Sequence, residues 1–174
     1  MNAAPMSSLE DTRLQSAAHG LGHAAGALQR RLKNRPAAAM IDAFNRASGL
    51  VHGDEMARLL RRRHSQPLSL LARWIVSREI VTVPVQGQTL IPLFQFDMPS
   101  ATPHASLRPV LQELCPVFTD WELAMWFASP NTWLANQAPV AALLTDACSV
   151  VRAAQMDRYA GATRRPMSRP IADR

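Results

Sequence analysis

The sequence predicts a mainly α-helical protein with one small β-hairpin: a helix-turn-helix or excisionase-like reader followed by a small C-terminal helical domain. Three observations predict it. Between residues 50 and 78, apolar side chains recur at helical spacing in two short runs separated by Ser65-Gln66-Pro67. Two alternating apolar runs, IVTVPV and TLIPLFQF, then flank Gly87, the pattern of a two-stranded hairpin. Finally, Ser129-Pro130-Asn131 and Gln137-Ala138-Pro139 cut the tryptophan-rich stretch from Thr119 to Tyr159 into short helices around a small core.

Residues 1–48 read as an N-terminal helical arm behind a disordered leader of about ten residues. Leu14, Ala17, Ala18, Leu21, Ala25, Leu28 and Leu32 form one face, weakened by Gly20, Gly22 and Gly26. Pro36 opens a second helix through Asn45, with Met40, Ile41 and Phe44 together. Such an arm suits dimerisation, so a homodimer is expected.

Residues 49–97 form the reader. Asp54 is expected to cap a helix with Met56, Ala57, Leu59 and Leu60 inward, ending in Arg61-Arg62-Arg63-His64. Pro67 starts the next helix, which is expected to bury Leu68, Leu71, Trp74 and Ile75. Pro84 and Pro92 cannot donate to a ladder, so the hairpin strands should be edge-like or bulged there. In winged-helix readers the second helix enters the major groove and the hairpin lies over the backbone. Arg62, Arg63, Ser65, Ser69, Arg73 and Arg78 are the candidate DNA contacts, as phosphate ligands or guanine readers. A solvated basic surface on a helical scaffold is the competing explanation of the same residues.

Residues 98–106 read as a polar, proline-containing linker. Residues 107–161 then form the C-terminal domain. Its first helix holds Val110, Leu111 and Leu114 and stops at Pro116. Thr119-Asp120-Trp121-Glu122 is a capping box, opening a helix whose Leu123, Trp126 and Phe127 share a face. Pro139 opens a helix through Leu144, and Asp146 caps the last one, with Ala147, Val150, Val151 and Ala154 aligned. Residues 162–174 form a basic, proline-broken tail, expected to be disordered until bound.

Composition narrows the function classes. In 174 residues, hydrophobic content is 48%, charged residues are only 18%, and Lys33 is the sole lysine. A formal charge of +6 with a pI near 10.9 favours a polyanionic partner such as nucleic acid. No signal peptide or membrane-spanning run is visible, and Cys115 and Cys148 lack CxxC spacing and read as small buried hydrophobes. A cytoplasmic, reduced protein is expected. Catalytic sets are missing: there is no nucleophile elbow, phosphate loop or dinucleotide turn. His19 and His23 have a zinc-compatible spacing but no second ligand pair. The expectation is therefore a binding protein, not an enzyme, with no cofactor and no metal.

The tryptophans carry the remaining signal. Trp126 and Phe127 read as core, while Trp121 and Trp133 flank a turn, where half-exposed rings often anchor interfaces. The ordered string WFASPNTWLANQAPVAALL resembles the C-terminal toxin-binding domain of Xre/MbcA/ParS-type antitoxins. Trp126, Phe127, Ser129, Pro130, Asn131, Leu134, Pro139, Leu143 and Leu144 carry the match. The resemblance spans about Gly49 to Gly161 and is strongest after Asp120. It implies a partner: members of that family hold an NAD-consuming RES-domain toxin inactive by binding at its active-site entrance. Many also bind their operator DNA. It implies toxin contacts at Trp126, Ser129, Asn131, Trp133, Leu134, Pro139 and Arg158, with Arg164 and Arg165 in the tail. Where that family has a Gly-Gly-Arg step, this chain has Ala135-Asn136-Gln137-Ala138. A stand-alone DNA-binding regulator without a toxin is the alternative.

Overall fold

Helix α1, over residues 35–47, opens the described part of the chain: the computed structural model describes residues 35–85 and 87–164. The amphipathic run expected over 11–34, with His19 and His23, lies outside them. So do Arg165 and the side chain of Arg164. The chain divides into two compact units after Ala38, and everything from Ala39 onward belongs to the second.

Met40 and Phe44, one turn apart on α1, are both buried. Gly49, at φ +97°, lets the chain turn off the helix while its N–H and that of Ser48 both donate to the Phe44 carbonyl (2.9 and 3.0 Å). Strand β1 (Leu50–His52) follows. Three residues are too few to show a period, so nothing in the sequence announced it. Helix α2 (Gly53–Leu60) begins immediately, with His52 at its N-cap making no side-chain cap. Asp54, expected as the cap, lies within the first turn and pairs with Arg58 at 3.4 Å. The turn through Arg61–Arg63 returns the chain, and Pro67 opens α3 (Pro67–Val76). His64 pins this turn: its Nε2 is 3.1 Å from the Ala101 carbonyl and its ring meets Trp74 edge-on.

Strands β2 (Val83–Val85) and β3 (Gln88–Pro92) form the expected antiparallel hairpin, with Gly87 at φ +76°. β1 pairs with the other side of β3 in register Leu50–Pro92, Val51–Ile91 and His52–Leu90. The sheet order is therefore β1-β3-β2, which puts Pro84 on an edge strand and Pro92 at a strand end, where a missing N–H costs little. A 3-10 turn (Leu93–Gln95) leads on. Gln95 is fully buried and fully bonded: it accepts from the Val81 N–H (2.6 Å) and donates to the Val81 and Pro92 carbonyls (both 2.9 Å). It thereby stands in for a missing ladder partner.

Residues 98–106 are more than the expected linker. β4 (Phe96–Asp97) and β5 (Thr102–Pro103) pair across them, and Ala101 is buried against the α2–α3 core. That core gathers Val51, Met56, Leu60, Leu71, Trp74, Ile80, Ile91 and Phe96. The larger core joins α1 and Val81, Val83 and Phe94 to the C-terminal helices, so packing is continuous across the predicted boundary. Phe44 stacks on Phe94 (5.6 Å between centroids), and Phe94 meets Phe127 (5.4 Å).

The C-terminal helices are α4 (Leu107–Leu114), α5 (Asp120–Ala128), α6 (Pro139–Ala142) and α7 (Ala147–Arg164), with a 3-10 turn at Thr132–Leu134. The Thr119–Glu122 capping box is complete, and Asp146 accepts from the Ser149 N–H at 3.1 Å. The architecture is thus mainly helical with a small antiparallel sheet. Among the described residues no helix is long and apolar enough to cross a membrane. The cysteines correct their expectation: Cys148 is exposed and Cys115 only half-buried, enough for desolvation to push its thiol pKa up.

Candidate partner-binding site

The strongest constellation of polar and aromatic groups lies where α5, the 3-10 turn and α7 meet. Trp126 leaves the α5 surface with its ring edge-on to Phe127 (5.0 Å between centroids). Its indole N–H needs an acceptor once buried. Asp157, on α7, supplies it at 2.7 Å. The same carboxylate oxygen accepts from the Asn131 amide at 2.7 Å, and the other oxygen from the Trp133 indole at 3.2 Å. Asn131 completes the arrangement by accepting the Trp133 backbone N–H at 2.9 Å, which also caps the 3-10 turn. One carboxylate therefore fixes three side chains from two elements.

The outcome is a rigid mount with an exposed ring. Trp126 and Asn131 are only 9% and 8% exposed, whereas Trp133 is 55% exposed. A recess of about 280 Å³ opens beside Trp126, Asn131 and Asp157, lined also by Phe118, Ser129 and Pro130. A large ring held by a hydrogen bond has little rotamer freedom to lose on binding, which favours it as an anchor.

The resemblance-derived contacts thus separate. Trp126, Asn131 and Trp133 do come together, with half-buried Ser129 at the recess. Leu134 and Pro139 are buried, so they shape the site from beneath and present no surface. Arg158 bonds Glu113 at 2.7 Å, tying α7 to α4. That bond and one from Gln155 hold the Glu113 carboxyl below the usual carboxylate range. Asp157, the centre of the site, was missed. The signal was there: it is the sole carboxylate of α7, four residues before Gly161.

The turn after Trp133 explains Ala135 and Asn136. Both adopt left-handed backbone, at φ +51° and +63°. The Asn136 and Gln137 N–H groups then donate to the Asn131 and Leu134 carbonyls, both at 2.9 Å. Left-handed backbone is where glycine is favoured, yet neither residue here is a glycine. Asparagine tolerates it; alanine is strained there.

The second candidate surface is the α2–α3 face. Arg62, Arg63, Ser65, Ser69 and Arg73 are all exposed. Arg61, Arg62, Arg63 and Arg73 make no ion pair among the described residues. Arg78 does not belong with them. At φ +52° just past α3, it turns its guanidinium onto the Cys115 and Phe118 carbonyls (2.6 and 2.7 Å) and Asp120 (2.9 Å). It caps the end of α4 and clamps the end of α3 to the C-terminal helices. Leu68 also departs from expectation, being exposed rather than buried.

Among the described residues no group of three or more His, Cys, Asp or Glu side chains is placed to hold a metal. No protein-family model matches the chain, and neither a curated protein nor a solved structure matches it.

Proposed function

We propose that this chain is a non-enzymatic antitoxin-like protein: its C-terminal surface occludes the active-site entrance of an NAD-consuming RES-domain toxin, and its α2–α3 face binds the operator of the pair. The observation that carries the reading is the Asp157 mount, which buries Trp126 and Asn131 and holds Trp133 out as an exposed, pre-oriented ring. These are residues that the resemblance to Xre/MbcA/ParS-type toxin-binding domains singles out. The left-handed turn at Ala135-Asn136 supports it further, because such backbone is what a Gly-Gly step would favour.

The operator half rests on topology and charge. The order α1-β1-α2-α3-β2-β3, with sheet order β1-β3-β2, is how winged-helix readers are built. Residues 61–78 contain five arginines and no carboxylate. Co-expression with the product of the neighbouring reading frame is the test of the toxin half. A stable complex and rescued growth are expected; a free chain and no rescue contradict it. For the operator half, a duplex shift should weaken steeply with added salt, and Arg62→Ala with Arg63→Ala should flatten that dependence. DNA binding without any toxin complex would favour the stand-alone regulator.

A further inference from the structure

The solvent face of α3 has an unexpected chemistry for a basic reader. At 100° per residue it divides into two rows. One is polar, Ser69 and Arg73; the other is apolar, Leu68, Ala72 and Val76, at i, i+4 and i+8. Leu68 is 63% and Val76 82% exposed, so neither end of the row is engaged in the fold. The row runs roughly 12 Å along the helix at 1.5 Å per residue. Its flanks are cationic on the Arg61–Arg63 side and carry Arg73 beside it, while α3 itself has no acidic residue. An apolar protein partner would leave those unpaired arginines at the rim without a counter-charge. A DNA groove supplies both phosphates for the arginines and an apolar group for the row.

That group is the C5-methyl of thymine, the one apolar feature that the major groove displays. We infer that α3 reads thymine methyls through Leu68, Ala72 and Val76, with Arg73 as the sole charged base reader on the helix. The inference rests on the operator-binding reading above and specifies its sequence preference: T·A pairs along the apolar row, beside a guanine for Arg73. The hairpin adds no charge, since Val83–Val85 and Gln88–Pro92 hold no ionisable side chain.

The test uses the full chain and duplexes selected from a random pool at low salt. Each thymine of the selected site is replaced singly by deoxyuridine, which removes only the methyl. Contacted positions should lose about fourfold in affinity, the effect of one buried methyl. In the Leu68→Ala, Val76→Ala double variant that discrimination should vanish at the same positions. Both side chains are exposed, and the deoxyuridine arm needs no variant at all. Indifference to every deoxyuridine, or a selected site without thymine, overturns the inference and leaves operator binding standing. No duplex binding overturns both. A self-association broken by the double variant, with DNA affinity unchanged, would give this face to a second copy and overturn the inference too.

Discussion

Replacing Asp157 by asparagine removes the charge that organises the tryptophan mount while conserving volume. Trp126 and Asn131 donate to one oxygen at 2.7 Å, and both donors are buried. An asparagine can set its one carbonyl at that oxygen, but both bonds lose their charge assistance, and its N–H groups then face the Trp133 indole N–H. Turning two charge-assisted bonds into neutral ones, at about 1 kcal/mol each, gives a destabilisation of about 2 kcal/mol. The Trp133 bond, at 3.2 Å from an exposed ring, adds little. For a body of this size that corresponds to a melting temperature lowered by about 7 °C. Differential scanning calorimetry on the full chain reads it directly, and tryptophan emission reports whether the indoles lose their acceptor. A melting temperature within a degree or two of wild type, with unchanged emission, would refute the claim that Asp157 holds the site.

Other consequences are simpler to state. Ala135→Gly should raise stability by about 1 kcal/mol in urea denaturation, because glycine adopts φ +51° without the Cβ conflict. A loss of stability would mean that the turn is not left-handed in solution. The Glu113 carboxyl is depressed by Arg158 and Gln155, so its contribution is present above the unfolded-state pKa. It fades as pH falls through the lower folded pKa, and Glu113→Gln should flatten the acid limb of a stability–pH curve. An unaltered acid limb would remove that ion pair from the stabilising set. Arg78→Ala should be less stable than Arg73→Ala by roughly 2 kcal/mol in urea denaturation, since only Arg78 serves part-buried carbonyls and Asp120.

Legibility in the sequence followed the range of the interactions. Local signals were readable: the Thr119–Glu122 capping box, Pro67 and Pro139 at helix starts, and the hairpin around Gly87. Each depends on residues within a few positions of one another. Strand β1 was hidden, because Leu50–His52 becomes a strand only by pairing with β3 some forty residues later. The roles of arginines were hidden for the same reason. Arg78 and Arg73 look alike in the chain, yet one closes on carbonyls of a later helix and the other faces solvent. Leu68 shows the limit of periodicity, since its place in the apolar arc predicts burial and yet, at the edge of that arc, it is exposed. Within the site, Trp126, Asn131 and Trp133 were legible as a motif, but Asp157 lies 24 residues beyond Trp133, and only folding brings its carboxylate to them.

The most direct measurement is the affinity of the full chain for a RES-domain protein, the partner proposed above, compared with that of Trp133→Ala. Trp133 is exposed and its truncation leaves Trp126 and Asn131 on Asp157, so the fold is retained. Loss of an anchoring ring should weaken binding by at least 2 kcal/mol, about thirtyfold, and restore NAD consumption by the toxin. Equal affinity for wild type and variant, with the toxin still inhibited, would contradict the assignment of this surface.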